Sequence, residues 1–121
     1  MPGTGKFCVA LTRADDPDRA TAAFLLAKAA ASADQETMVY LSTDAVDLAV
    51  GPATEHAVDD GSLRLGDLIE EFVGAGGQIL VNASDVKRRR LDDDQLVKGA
   101  SIGDPAMLVE FLSDGTPCVS Y

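Results

Sequence analysis

The sequence predicts an α/β fold, a three-layer α/β/α sandwich around a parallel sheet of roughly five strands. Three observations predict it. Short apolar runs, of which residues 7–11 are the first, alternate along the chain with longer segments of helical periodicity. These runs are apolar without alternation, which is typical of strands covered by helices on both faces. The early runs end in small polar residues, the pattern expected where parallel strands lead into loops at one sheet edge.

The first part of the chain predicts two strands and a long helix between them. Residues 7–11 form the first strand, and Asp16-Pro17 begins the helix. An Asp can cap free backbone N–H groups, and a Pro is tolerated at the first helical position. Residues 37–41 form the second strand, and residues 45–50 a short helical or turn segment. The helical spacing is carried by Ala20, Ala23, Phe24, Ala27, Ala30 and Ala31.

The middle of the chain predicts an irregular flap, a helix and the third strand. Residues 51–61 have turn-forming residues at both ends and predict the flap. Ser62 can cap the following helix, which has one apolar side. Residues 78–81 form the third strand. The apolar side of the helix consists of Leu65, Leu68, Ile69 and Phe72.

The last part predicts two helices and two short strands. Residues 91–98 predict a short helix, and residues 100–102 a fourth strand. Asp104-Pro105 repeats the helix start seen at Asp16-Pro17. Residues 117–121 predict an edge strand, because a Pro cannot complete a hydrogen-bond ladder. The inward side of the last helix is predicted to hold Met107, Leu108, Phe111 and Leu112.

Length and charge limit the classes of partner. The 121 residues suit a single domain, 1–121. Acidic residues outnumber basic ones 20 to 10, for a formal net charge of −10. Such a charge repels nucleic-acid phosphates and anionic membranes, so neither is expected as a partner. No apolar run approaches the roughly 20 residues that span a bilayer, and no secretion signal is recognised, which predicts a cytoplasmic protein.

Several familiar site motifs fail on inspection, and neither a metal nor a cofactor is predicted. Gly3-Thr4-Gly5-Lys6 precedes a strand, whereas a phosphate-binding loop joins a strand to a helix. His56 lies in the flap without a partner that would hold it for general-base catalysis. Cys8 and Cys118 lack metal-ligand spacing and are far apart in sequence, so reduced thiols are expected. Cys8 is predicted to be buried and inert, while Cys118, on the edge strand, can be exposed.

Polar residues at the ends of the first three strands are candidates for one cleft. In a parallel sheet these ends share an edge, and helix N-termini near Asp16 and Ala83 would offer N–H groups to an anion. The alternative is that turns and caps simply favour such residues. The candidate ligand-binding residues are Thr12, Thr43, Asn82, Ser84 and Lys87.

The basic run Arg88-Arg89-Arg90 is a second candidate for anion binding. It lies between Asp85 and the acidic residues 92–94. Local charge pairs on a solvated surface, each contributing less than about 1 kcal/mol, are therefore the favoured interpretation.

The order of these segments resembles the DsrE/DsrF-like family of sulfur-relay proteins. The resemblance covers nearly the whole chain, through DDPDRATAAFLLAKAA, MVYLSTDAVDLAV, LGDLIEEFVGAGGQILV and LDDDQLVKGASIGDPAMLVEFL. It implies a three-layer α/β/α domain that assembles as a homotrimer or homohexamer. It also implies, in active members, a persulfide on a cysteine just after the third strand, within a Val-Cys-x-x-Cys-type segment.

At that place this sequence departs from the family pattern. Asn82 stands where the first sulfur is expected, and Asp85 where a second is often found. A carboxamide forms no thiolate and holds no persulfide, so the family's chemistry cannot occur here. The fold can be inherited without the activity.

Two functions from different classes remain open. The first is a non-catalytic, oligomeric domain that binds a small polar or anionic ligand, or a partner protein, at the carboxyl edge of its sheet. The second is a sulfurtransferase or sulfur carrier that uses Cys118 or Cys8 and exchanges sulfur with a relay partner. The Ala-rich first helix and the flap 51–61 are the predicted contact surfaces of the oligomer.

Overall fold

A parallel five-stranded sheet organises the computed structural model, which describes residues 5–50 and 65–121. The strands are β1 (Lys6–Leu11), β2 (Glu36–Leu41), β3 (Gln78–Asn82), β4 (Ala100–Gly103) and β5 (Cys118–Ser120). They lie in the order β4-β3-β2-β1-β5, and every neighbouring pair is parallel. This confirms the predicted α/β fold and places the last strand at an edge.

Helices cover both faces of this sheet. The α-helices are α1 (Pro17–Ser32), α2 (Leu65–Gly74), α3 (Ala83–Arg88) and α4 (Pro105–Leu112), and 3₁₀ segments span Thr43–Ala49 and Asp93–Gln95. The predicted cap of α1 is present, because the Asp16 carboxylate accepts the Arg19 N–H at 3.1 Å. None of the helices in the described ranges has the length and apolar character needed to cross a membrane.

The two faces of the sheet are covered unequally. On one face α1 and α2 pack together, and the rings of Phe24 and Phe72 meet edge to face with centroids 5.9 Å apart. The alanine positions 20, 23, 27 and 31 are buried there, as predicted, while Ala30 is partly buried. On the other face Phe111 of α4 packs over a small cluster that includes Cys8 and Met38. This second layer is therefore thin.

The strand register aligns the carboxyl ends of the three central strands. Leu11 lies beside Leu41, and Leu41 lies beside Val81. The next residues along these strands, Thr12, Ser42 and Asn82, therefore leave the sheet at the same edge. The polar residues that the sequence assigns to one cleft therefore follow strand ends that are aligned with each other.

Some local predictions need correction. Residues 91–98 do not form a helix, and only Asp93–Gln95 makes a short 3₁₀ turn, where the Gln95 side chain accepts the Asp92 N–H at 2.7 Å. Leu96 and Val97 turn back toward the core and Gly99 has φ +92°, so no further helical turn follows. Met107 is only partly inward, because its sulfur lies against Gly103 while 46% of the residue is exposed. The flap 51–61, Ser62, His56 and the start of the Gly3–Lys6 motif lie outside the described residues.

Candidate functional site at the carboxyl edge of the sheet

A buried carboxylate, that of Asp85, lies at the centre of the carboxyl edge. Asp85 is in the first turn of α3, directly after β3, and only 3% of it is exposed. Its carboxylate accepts the Thr43 backbone N–H at 2.8 Å and the Asn82 side-chain amide at 2.7 Å. The Arg88 guanidinium, one helical turn further on, donates to the other oxygen. A buried charge is tolerated only with such partners.

Thr43 has an unusual backbone that makes this arrangement possible. Its φ is +50°, a left-handed conformation that β-branched residues rarely adopt. The conformation points its N–H at Asp85, while its hydroxyl donates to the carbonyls of Ser42, at 2.7 Å, and of Thr12. Thr43 thus links the ends of β1 and β2 to the helix that follows β3. Strained residues of this kind are often found at functional sites.

The donors around Asp85 keep it ionised. Burial by itself raises the pKa of a carboxyl group, but the hydrogen bonds from Thr43 and Asn82, together with the Arg88 charge, outweigh burial and hold the pKa of Asp85 below its ordinary value. Its charge reaches the neighbouring strand, where burial and then Asp85 raise the pKa of Tyr40. The edge therefore carries a permanent, internally bonded negative charge at neutral pH.

The structure brings four of the five predicted site residues together. Thr12, Thr43 and Asn82 are connected through the Thr12 carbonyl and the Asp85 carboxylate. Ser84 is exposed, and its hydroxyl oxygen accepts the Asn82 amide at 3.3 Å. Lys87 is exposed and makes no hydrogen bond or ion pair with the described residues. The cluster of Thr43, Asn82 and Asp85 is called the edge cluster below.

In the edge cluster, the donors best placed to bind an anion already donate to Asp85, and one acceptor has no hydrogen-bond partner. The Thr43 N–H and the Asn82 amide both point at Asp85, which occupies the place of an external anion. Asn82 Oδ1 is buried and accepts no hydrogen bond from the described residues. Buried polar atoms are normally paired, and among the described residues this oxygen shares its lack of a partner with Thr21 Oγ1 and Arg89 Nε.

The basic run contacts different acids from those predicted. Arg88 pairs with Asp85, as the sequence suggests. Arg89 instead reaches back to the 3₁₀ segment after β2, where it pairs with Asp44 and, at 3.0 Å, with Asp47. Local charge pairs are present, as predicted, but those of Arg89 are with acids after β2 and not with the flanking residues 92–94. The run therefore connects the ends of β2 and β3.

The sequence interpretation missed one pair of reactive groups. Cys8 on β1 lies directly beside Cys118 on β5 in the parallel register. Cys8 is fully buried, whereas Cys118 is exposed. Burial and then the adjacent Cys118 raise the pKa of the Cys8 thiol to about 12. Their separation in sequence hid this contact, since nothing in a sequence specifies which strand β5 joins.

The two described cavities do not include the edge cluster. One of about 530 Å³ is lined by α2 and by Val97 and Lys98, and the other, of about 480 Å³, lies near Lys6 and Pro117.

The comparison with known protein families agrees with this architecture. A model of the DsrE/DsrF-like family matches residues 5–120. The chain belongs to the DsrE/DsrF-like family. No curated relative matches it in sequence.

Two solved structures share the DsrE/DsrF-like fold. MTH1491 from Methanobacterium thermoautotrophicum, described as a protein of unknown function, superposes with a TM-score of 0.76 at 12% identity, covering 97% of this chain and 99% of that one. The ychN protein from E. coli gives a TM-score of 0.77 at 12% identity, with coverage of 97% and 99%. At this identity the likeness concerns the fold alone.

Proposed function

We propose that this DsrE/DsrF-like protein is a non-catalytic, homo-oligomeric member that binds a polar ligand or a partner protein at the carboxyl edge of its sheet. One observation carries the proposal. The residue at the expected sulfur position, Asn82, is an amide that donates to the buried Asp85 carboxylate. An amide is not a nucleophile, and this one is held in a hydrogen-bonded cluster.

The edge cluster also indicates which ligand groups fit it. An anion would have to displace Asp85 from the Thr43 N–H and the Asn82 amide, so an anionic group is disfavoured. The unpaired Asn82 Oδ1 accepts hydrogen bonds only. A neutral or cationic group that presents an N–H or O–H is therefore the expected ligand group, whether it belongs to a small molecule or to a partner protein.

The proposal predicts that the protein does not carry sulfur. The protein is reduced, incubated with a low-molecular-weight persulfide donor and weighed intact. The denatured chain, treated in the same way, gives the reactivity of unprotected thiols. The folded protein should gain no more sulfur than the denatured chain does. The assay includes Cys8→Ala, because in the wild type a persulfide on Cys118 could be resolved by its neighbour before it is weighed. Sulfur loading of the folded Cys8→Ala protein faster than of its denatured form would contradict the proposal.

The second candidate, a sulfur carrier that serves a relay partner, rests on Cys118. This thiol is exposed, so that a sulfur donor and an acceptor can both reach it, and a second thiol lies beside it. Sulfur loading that disappears in Cys118→Ala, followed by transfer to an acceptor thiol, would establish this function in place of the first. Sulfur loading that persists in Cys118→Ala would show that Cys8 is the residue that carries the sulfur.

Assembly into homo-oligomers is a further part of the proposal, and it concerns the sheet face that α4 covers. The alanines of α1 face their own core, so the exposed apolar residues of α4, Met107 at 46% and Val109 at 65%, are the stronger contact surface. Static light scattering at micromolar concentration should give a trimer or hexamer mass. Val109→Glu should reduce that mass, while Leu25→Glu on α1, where Leu25 is 44% exposed, should not. A monomer mass for the wild type would contradict the assembly.

A further inference from the structure

We propose that Cys8 and Cys118 form a reversible intrachain disulfide, so that the contact between β1 and β5 is an oxidation site of this protein. The two residues are direct neighbours in the parallel register of the two strands. Neighbouring strands lie about 4.8 Å apart, within the Cα separation of about 4.4 to 6.8 Å that a disulfide spans. Parallel neighbours in register also direct their side chains to the same sheet face.

The two thiols differ in the way that a stepwise oxidation requires. Cys118 lies on an exposed edge strand, where a small oxidant can reach it. Cys8 is packed with Met38, Leu80 and Phe111 under α4, and no solvent reaches it. Burial and the neighbouring thiol hold the pKa of Cys8 near 12, so little thiolate is available for a first attack. Cys118 is therefore the attacking thiol and Cys8 the resolving one.

A low-molecular-weight disulfide, such as oxidised glutathione, is a sufficient oxidant. The Cys118 thiolate attacks one of its sulfurs, the small disulfide bond breaks, and one small thiol leaves with the proton that Cys118 released. The mixed disulfide removes the Cys118 thiol, and with it the neighbour that helps to raise the Cys8 pKa. Cys8 then loses its proton, attacks the Cys118 sulfur and expels the second small thiol. Two protein thiols are oxidised by two electrons, and one small disulfide is reduced to two thiols.

The test is a titration of the folded, reduced protein with oxidised and reduced glutathione. Intact-mass measurement should show a monomer that has lost two hydrogens, and neither thiol should be alkylated after denaturation until a reductant is added. An accumulating glutathione adduct on Cys118, or disulfide-linked dimers in place of the closed monomer, would overturn the proposal.

A matched variant tests whether the disulfide needs the in-register position of the two cysteines or only the presence of two thiols on these strands. Cys118→Ala combined with Ser120→Cys keeps two thiols on the same strands and the same face, because Ser120 pairs with Ala10. The shifted thiol lies about 8 Å from Cys8 by strand spacing and rise, beyond the roughly 7 Å limit for bridging. Its disulfide yield should fall to that of Cys118→Ala alone. Equal closure in the shifted variant would refute the in-register site.

Hydrogen exchange at the edge strand provides a second readout. The Tyr121 N–H donates to the Ala10 carbonyl at 2.8 Å, just beyond the cysteine pair. A disulfide that forms within the intact sheet fastens β5 to β1 and should slow exchange of this amide. A disulfide that forms only with loss of the Tyr121 protection would show that β5 leaves the sheet to react, and would overturn the assignment. Both results are independent of sulfur loading and of ligand binding at the edge cluster.

Discussion

Replacing Asp85 with alanine should lower the free energy of unfolding by about 2 to 4 kcal/mol. The substitution leaves the Thr43 N–H and the Asn82 amide without their acceptor in a partly buried position. It also removes the contact that offsets the left-handed conformation of Thr43. Chemical denaturation measured by circular dichroism gives the free energy directly. Asp85→Asn, which keeps the shape and one acceptor oxygen, should lose less.

An exposed carboxylate is the matched control for this substitution. Asp15 also accepts hydrogen bonds from an arginine, Arg13, but its side chain is 69% exposed. Asp15→Ala should therefore change the free energy of unfolding far less than Asp85→Ala does. Similar losses for the two variants would show that burial and the edge cluster contribute nothing to stability.

The same pair of proteins, wild type and Asp85→Ala, gives a pH test. The pKa of Asp85 is depressed in the folded protein, so its carboxylate stabilises the fold above the unfolded-state pKa of about 4. That contribution declines as the pH falls from there through the lower folded-state pKa. The stability difference between the two proteins should be constant near neutral pH and shrink in acid. A difference that grows on acidification would contradict the assignment of a low pKa.

Asn82→Cys should restore a thiol at the family position, yet that thiol should react slowly while Asp85 remains. The side-chain amide it replaces lies 2.7 Å from the Asp85 carboxylate, and a nearby negative charge disfavours the thiolate. A rise of one pKa unit lowers the thiolate fraction about tenfold. Adding Asp85→Asn should therefore accelerate loading from a persulfide donor by about tenfold or more. The rates are measured by intact mass in a background of Cys8→Ala and Cys118→Ala.

Ser84→Cys is the matched control in that background. Ser84 is adjacent to Asp85 in the chain, but its side chain is exposed, so the high dielectric constant of water weakens the effect of Asp85 on a thiol there. Asp85→Asn should change its loading rate much less than that of the residue-82 thiol. If Asn82→Cys loads equally fast with and without Asp85, the carboxylate is not what sets the reactivity of this edge. Thermal unfolding verifies that each variant is folded at the assay temperature.

The main elements of this fold follow from local patterns in the sequence. Apolar β-branched runs predict the three central strands, and the Asp-Pro starts at Asp16 and Asp104 predict α1 and α4, because these signals depend on a few neighbouring residues. The stripe of Leu65, Leu68, Ile69 and Phe72 is buried for the same reason. The helical prediction for residues 91–98 is wrong, because tertiary contacts of Leu96 and Val97 prevail over a weak local preference.

The candidate site was only partly visible in the sequence. Polar strand ends predict a shared edge, and the structure brings Thr12, Thr43 and Asn82 together there. The role of Asp85 depends on the positive φ of Thr43, a residue on another loop, and no local pattern contains that information. Locally the sequence offers only an Asp three residues after the end of the strand, with an Arg one helical turn later, and this pattern does not identify the groups that the Asp contacts. The pairing of the two cysteines depends wholly on strand order.

The strand order also predicts an order of events in folding. β1 to β4 pair in the order in which they follow one another in the chain, whereas β5, the last strand, pairs with β1, the first. Contacts between distant residues carry the largest loop-closure entropy and form late. Until then β1 is an open edge that can pair with another molecule. Aggregation during refolding should therefore originate at β1, and conditions that speed the docking of β5 should suppress it.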